Sequence, residues 1–150
     1  MAYSDGEALI LTQIVATASF DATNAVRGKW IVLTSGKANQ YCILRMGPFT
    51  HEQYGLGGMY RHNWTTVAEV WTRLTDQYDT SMAAHYTGIQ AILNRFEAYR
   101  KAADTTKTIQ DVFVRSASDD EEMHNQRGPS WVKRSLFIEW KEEANVTLQE

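Results

Sequence analysis

The sequence predicts an α+β fold, with a mostly antiparallel sheet of about five strands and two helices packed on one face. Two segments repeat apolar residues every three or four positions, as a helix with one buried face does. Other segments alternate in polarity or run apolar, as strands do. Their order is α-β-β-β-α-β-β, which favours helices outside an antiparallel sheet. The 150 residues fit a single domain, 1–150, with one core.

The first predicted helix begins at Ser4, because Ser4 and Glu7 have the spacing of a capping box. Leu11 and Ile14 continue it at helical spacing, and we expect it to fade near Ser19. Two strands follow at 29–35 and 40–46. The residues between them include a turn glycine and an asparagine, so the pattern predicts a hairpin.

A connection at 47–63 precedes the third predicted strand, 63–74. It carries four glycines, and we expect a loop that packs on itself or on a neighbour. The strand after it has two faces, one with Val67, Glu69 and Trp71 and the other with Thr66, Ala68 and Val70.

The second predicted helix has a continuous apolar stripe. It begins at one of three capping residues and ends near Ala103. Gly88 falls inside it at a cost of about 1 kcal/mol relative to alanine, which a close approach to the sheet would explain. The candidate caps are Asp79, Thr80 and Ser81, and the stripe is Met82, Tyr86, Ile89, Leu93, Phe96 and Tyr99.

The last two predicted strands are 108–115 and 131–140. In the second, one face carries Val132, Arg134, Leu136, Ile138 and Trp140, and the other carries Lys133, Ser135, Glu139 and Lys141. Between the two strands, 116–130 is predicted to be a mobile polar loop with four consecutive acids. The chain after about 143 is predicted to fray.

Composition excludes several classes of protein. A net charge of −3 with scattered basic residues argues against a basic nucleic-acid binder. The single cysteine, Cys42, lies in an apolar strand and is expected to be a buried, inert thiol. No signal peptide and no apolar run of membrane length is present, so we expect a soluble protein that is intracellular at synthesis.

No catalytic, cofactor-binding or metal-binding residue is predicted, and no cofactor is expected. The four histidines form no helical ligand pair. An enzyme would need paired titratable groups in a pocket. The chain offers only Asp79 near His85, or Glu69 and Glu139 if their strands are neighbours. A small α+β enzyme with an unidentified pocket stays open as an alternative.

The five tryptophans lie in or at the start of predicted strands. One interpretation is a tryptophan-rich core. The other places some of them in subunit contacts, where large aromatic side chains are enriched. Trp64 and Trp131 are the candidates for such an interface.

Three stretches resemble the tail terminator proteins of long-tailed, siphovirus-like bacteriophages: "GKWIVLTSGKANQYCILRMGPF", "NWTTVAEVWTRLTDQYDTSMAAHYTGIQAILNRFEAY" and "WVKRSLFIEW". The resemblance covers about residues 5–143. It rests on a first strand with a tryptophan, an "ILR.G" strand, and a "V.E.W" strand before a long helix that ends in "RFEAY".

The resemblance implies a structural virion protein of the tail or neck, assembled in the host cytoplasm. Such a protein forms a hexameric ring at the head-proximal end of the tail tube, ends tube growth and offers a surface for joining the head. Its partners would be copies of itself, the tail tube protein and the head-tail connector protein. DNA would pass through without specific binding, and no membrane would be involved. Another neck component, either a head-tail connector or a tail-completion protein, is the alternative.

The resemblance also suggests a role for the acidic loop. Its candidate residues are Asp119, Asp120, Glu121, Glu122 and Arg127. Lining the bore, the acids would repel DNA phosphate; facing outward, they would pair with basic residues of a neighbouring ring. A solvated hairpin tip without a partner is the third interpretation. If the loop is a docking or lumen-facing arm, deleting 118–126 is expected to leave the fold intact but to impair tail joining.

Overall fold

The computed structural model describes residues 3–53, 59–102 and 109–145. Within them the chain forms an α+β fold, as predicted. The elements in order are α1 (Tyr3–Val15), β1 (Ala25–Arg27), α2 (Val32–Ser35), β2 (Gln40–Met46), β3 (Thr50–Gln53), β4 (Met59–Leu74), α3 (Tyr78–Ala102), β5 (Ile109–Ala117), β6 (Glu121–Met123) and β7 (Ser130–Asn145).

The described strands form one sheet in the order β1-β2-β4-β7-β5. The 16-residue strands β4 and β7 pair in antiparallel register from Met59↔Asn145 to Leu74↔Ser130. Short strands complete the sheet beside them, since β3 pairs with β4 and β6 pairs with β7. Only β1, which runs parallel to β2, departs from the antiparallel pattern. The long antiparallel pair of β4 and β7 is therefore the frame that the other elements extend.

One face of the sheet carries the main core, and α1 and α3 cover it, as predicted. Both helices contribute apolar side chains to the same buried cluster as alternate residues of the central strands. The alternation predicted for β4 and β7 is confirmed, because antiparallel partners point to the same side of a sheet. The fully buried members include Ile10, Ile14, Leu44, Ala68, Ile92, Phe96, Leu136, Ile138 and Trp140.

The second face carries a smaller buried cluster formed by Tyr41, Ile43, Trp71 and Trp131. Part of it is covered by the segment 29–35, which was predicted to be a strand of a hairpin. That prediction is wrong, because the segment contains the short helix α2, whose Val32 and Leu33 pack on this cluster. Its apolar residues signal burial, and burial alone does not distinguish a strand from a short helix.

Several predicted boundaries also move. Helix α1 begins at Tyr3, so Ser4 lies inside it, and the Glu7 carboxylate pairs with Arg27 Nε at 2.5 Å. The predicted connection 47–63 contains β3 and the first residues of β4. Strand β7 continues to Asn145, beyond the predicted fraying point at 143, and 146–150 lie outside the described residues.

Two sequence expectations about single residues are confirmed. A Cβ on Gly88 would lie 2.6 Å from the Gln40 Nε2 atom of β2, so this glycine does mark a close approach between helix and sheet. Cys42 is fully buried, and burial raises the pKa of its thiol, which keeps it protonated and unreactive.

Candidate functional site

The segment 116–130 is not the continuous loop that the sequence predicts. Strand β5 extends to Ala117, the Ser118 amide donates to the Ser135 carbonyl at 2.9 Å, and β6 pairs Glu121 with Lys133 and Met123 with Trp131. The acids are therefore held against the edge of β7. The four acids nevertheless differ in their surroundings.

Asp120 turns inward and joins the segment to α3 and β7. Its Oδ1 lies 3.0 Å from His85 Nε2 and 3.0 Å from Arg134 Nε, and the Tyr86 hydroxyl donates to its Oδ2 at 3.2 Å. This bond to an anion raises the pKa of the Tyr86 hydroxyl. The contact with Arg134 is an ion pair by distance, without an aligned hydrogen bond from that nitrogen.

A directed chain of hydrogen bonds continues from Asp120 to the far side of His85. Gln40 Nε2 donates to Thr72 Oγ1 at 3.0 Å, which leaves the Thr72 hydroxyl proton to donate to His85 Nδ1 at 2.8 Å. His85 then carries its proton on Nε2 and donates it to Asp120. Burial lowers the pKa of His85, and the nearby Asp120 carboxylate opposes that shift only in part. The network therefore holds a neutral imidazole.

Thr72, His85 and Asp120 have the order of a hydroxyl, a base and a carboxylate, as in nucleophilic catalysis. Exposure argues against that role, because Thr72 is 2% exposed and His85 is 0% exposed. A nucleophile must be reached by its substrate. The arrangement instead fastens 118–123 to the body of the fold. A deletion of 118–126 is thus expected to cost stability, contrary to the expectation from sequence.

The other candidate residues of the segment stay near the surface. Glu121 lies 3.6 Å from Lys133, and Glu122 contacts His124 at 3.9 Å. A hydrogen bond with Glu122 raises the pKa of the Tyr78 hydroxyl. Asp119 and Arg127 are exposed, and the Arg127 amide donates to Asn125 Oδ1 at 3.1 Å. Glu122 is exposed as well but contacts His124 and Tyr78, so the acids that face away from the chain are Asp119 and Glu121.

A second polar cluster surrounds Glu69 on the other face of the sheet. Trp30 Nε1 donates to its Oε1 at 2.7 Å, Trp71 Nε1 donates to the same oxygen at 3.3 Å, and Arg45 Nε donates to Oε2 at 2.9 Å. Burial alone would raise the pKa of Glu69, but these three donors outweigh it and hold the pKa below its ordinary value. A buried carboxylate thus ties the 28–31 segment to the sheet.

Neither of the two pairs of titratable groups suggested by the sequence, Asp79 with His85 and Glu69 with Glu139, forms in the structure. The Asp79 side chain is exposed, and the carboxylate at His85 is Asp120. Glu69 and Glu139 do lie on one face of neighbouring strands, opposite Ser135 and Thr65. They stand four register positions apart, and each binds its own cation, because Glu139 Oε2 accepts from Arg115 Nη1 at 2.9 Å.

The two candidate interface tryptophans differ in their surroundings. Trp131 is 6% exposed, with its ring 6.1 Å from Tyr41 and the Arg73 guanidinium 5.2 Å above it. Contacts within the chain already cover the ring, which favours the core interpretation of Trp131, and its interface role stays a prediction. Trp64 is half-buried between Trp140, at 5.9 Å, and the exposed Phe49, at 4.9 Å, and its interface role stays a prediction.

Among the residues that the structure describes, the part of the second face away from α2 forms an open groove, which we call the β4–β7 groove. It consists of two adjoining cavities of about 350 and 260 Å³. The residues that line both are Pro48, Thr65, Arg115 and Glu139. The first cavity adds Phe49, Thr50, Asn63 and Lys141, and the second adds Ser116 and Phe137.

Comparison with known proteins does not place the chain in a family, because no family model matches it and no curated protein matches it significantly. Across the described ranges, no three His, Cys, Asp or Glu side chains are grouped to bind a metal ion. Within those ranges, no helix combines the length and apolar character that crossing a membrane requires.

Sequence reasoning missed both polar clusters. The sequence suggests only Asp79 as a partner of His85, and it presents Asp120 only as one acid among four. Thr72, His85 and Asp120 are separated by 13 and 35 positions, so no local pattern joins them. The available signal was a histidine on the buried side of a helix, which requires a polar partner.

Proposed function

We propose that this chain is a structural subunit that forms a ring at the head-proximal end of a phage tail tube, ends tube growth and provides the surface for joining the head. The proposal starts from the resemblance to tail terminator proteins. It is supported by the α+β order of a helix, a group of strands interrupted by the short α2, a long helix and closing strands.

The observation that carries it is the division of the second sheet face. One half lies under α2 and the 28–31 segment, with Ile31 68% exposed and Trp30 40% exposed. The other half is the open β4–β7 groove. A ring built by head-to-tail contacts needs two different surfaces on each subunit, and large exposed apolar side chains are typical of contact surfaces.

Under this proposal the partners are copies of the chain, the tail tube protein and the head-tail connector protein, and the ring belongs to the virion neck. A head-tail connector or tail-completion protein uses the same ring geometry but binds the portal side. The end of the tube that the chain occupies therefore separates these roles. The buried Thr72–His85–Asp120 chain has no access for a substrate and does not support an enzyme.

The test is native mass spectrometry with negative-stain imaging of the purified chain, alone and with cognate tail tubes. Six-membered rings, or density at one end of each tube, are the expected result. The opposite end of each tube is the internal control. A chain that stays monomeric at high concentration and leaves both tube ends bare would overturn the proposal.

A further inference from the structure

The β4–β7 groove is a polar recess on the second face of the sheet. Its walls come from β4, β5 and β7 and from the crossing between β2 and β3. The Gly47 amide anchors that crossing by donating to the Thr65 carbonyl at 2.8 Å. The recess is therefore part of the folded chain and does not depend on a mobile side chain to form it.

The groove offers hydrogen-bonding groups that the chain itself does not use up. The Arg115 side chain is 71% exposed, and one terminal nitrogen binds Glu139, so its other donors face solvent. The Asn63 side-chain oxygen is buried without a hydrogen-bond partner in the described chain. A buried acceptor left unpaired destabilises the folded chain, and an N–H group of an incoming segment would relieve this.

These groups select a ligand with a carboxylate and a nearby backbone N–H. A carboxylate accepts paired hydrogen bonds from a guanidinium, and Arg115 lines both cavities. Phe49 and Phe137 provide apolar contact at the sides. An acidic stretch of polypeptide meets all of these requirements.

We propose that the β4–β7 groove receives the outward-facing acids Asp119 and Glu121 of a second copy of this chain. Charge complementarity supports this occupant. Each chain carries exposed acids in one place and the Arg115 guanidinium in another, so the acids of one copy can meet Arg115 of the next. Glu121 sits opposite Lys133, six residues along β7 from Glu139, which is about 20 Å of strand. Glu121 therefore does not reach the groove of its own chain.

This contact rests on the proposed ring and names the two surfaces that meet in it. It is heterologous, with the groove of one subunit against the acidic segment of the next, as a closed ring requires. The fastening of Asp120 to His85 and Arg134 holds the segment in place before contact. Less conformational entropy is then lost on binding.

The test compares ring stability among charge variants by sedimentation equilibrium and native mass spectrometry. Arg115→Glu and Asp119→Arg are each expected to weaken self-association by about tenfold or more, because each places like charges together. The double variant carrying both changes restores opposite charges and is expected to recover most of the affinity. Arg115→Gln should give a smaller loss, and added salt should weaken the wild-type ring.

Arg127→Glu is the matched control, because it makes the same charge change at an exposed arginine of the same segment, outside the groove. It should leave ring stability unchanged. Far-UV circular dichroism and the melting temperature of each variant verify folding, and Arg115 is exposed enough for its substitution to preserve the fold.

The outcomes separate the contact from the ring. Rings that tolerate Arg115→Glu would overturn the groove contact and leave the proposed function standing. A wild-type chain that forms no ring and caps no tube would overturn both. Intact rings of Arg115→Glu that no longer bind tubes would assign the groove to the tube protein and overturn the contact between copies.

Discussion

At the scale of single residues, two glycines set the distance between the helices and the sheet. A Cβ on Gly6 of α1 would lie 2.1 Å from the Trp140 ring, and one on Gly88 of α3 would lie 2.6 Å from Gln40 Nε2. Trp140 is fully buried, with its indole N–H donating to Thr66 Oγ1 at 3.2 Å. The Trp140 ring therefore cannot shift away from an added methyl group at Gly6.

Gly6→Ala is therefore expected to lower the free energy of unfolding by about 1–3 kcal/mol, as overpacking of a core does. The gain from a better helix former, up to about 1 kcal/mol, would offset part of that loss. Urea denaturation measures the difference. Gly128→Ala is the control, since its new methyl group would meet only the end of the exposed Asn125 side chain. A Gly6→Ala chain as stable as wild type would contradict this packing.

At the scale of elements, the segment from Gly28 to α2 is held by tertiary contacts rather than by its own helix. Gly28 takes a positive φ of 63°, which glycine adopts without strain, and α2 has only four residues. A helix this short is unstable alone. The Trp30–Glu69 hydrogen bond and the packing of Val32 and Leu33 fix it on the sheet.

Trp30→Phe is expected to lower the free energy of unfolding by about 1.5–3 kcal/mol, the range for a hydrogen bond to a charged group. The aromatic ring stays, but the buried Glu69 carboxylate loses the indole donor. Chemical denaturation measures the loss. Ile31→Thr is the neighbouring control and should change stability by less than about 0.5 kcal/mol, because Ile31 is mostly exposed. Equal effects of the two substitutions would argue against the Glu69 anchor.

At the scale of the whole molecule, the His85 network joins the central sheet, α3 and the segment at the edge of the sheet. Gln40 and Thr72 belong to the sheet, His85 to α3, and Asp120 to the edge segment. Arg134 completes the charges around Asp120. Global stability should therefore respond to the protonation of one buried imidazole.

Stability is expected to fall as the pH drops from 7.5 to 5.5. The pKa of His85 lies below the ordinary value of 6.5, so below pH 6.5 the unfolded chain binds a proton that the folded chain resists. The contribution is fully present above pH 6.5 and is lost as the pH falls towards the folded-state pKa, with a slope of at most about 1.4 kcal/mol per pH unit.

Urea denaturation at several pH values measures this slope. His85→Gln should flatten it, and His124→Gln, at an exposed histidine, should leave it unchanged. A His85→Gln chain with the wild-type slope would show that another group titrates. Measurements stay above pH 5.5, because the lowered pKa of Glu69 makes its own contribution disappear only in more acidic solution.

The long elements were predictable because their signals are local and repeated. The alternation of Val67, Glu69 and Trp71 with Ala68 and Val70 follows from the geometry of a strand, and α3 follows from its apolar stripe. The strand prediction for 29–35 was wrong because the segment is apolar but shows neither a clear helical nor a clear strand periodicity. The loop prediction for 116–130 was wrong because β6 has only three residues and forms a strand only by pairing with β7.

Local sequence patterns were sufficient to predict the α+β class, both long helices, the two faces of the long strands, and the inert thiol at Cys42. These depend on periodicity and composition, which the chain carries locally. Tertiary structure alone decided that Asp120 turns inward to His85, that Trp30 reaches Glu69, and that Trp131 is covered while the β4–β7 groove stays open. Residues joined across 35 or 39 positions meet only when the layers pack, because no local energy term links them.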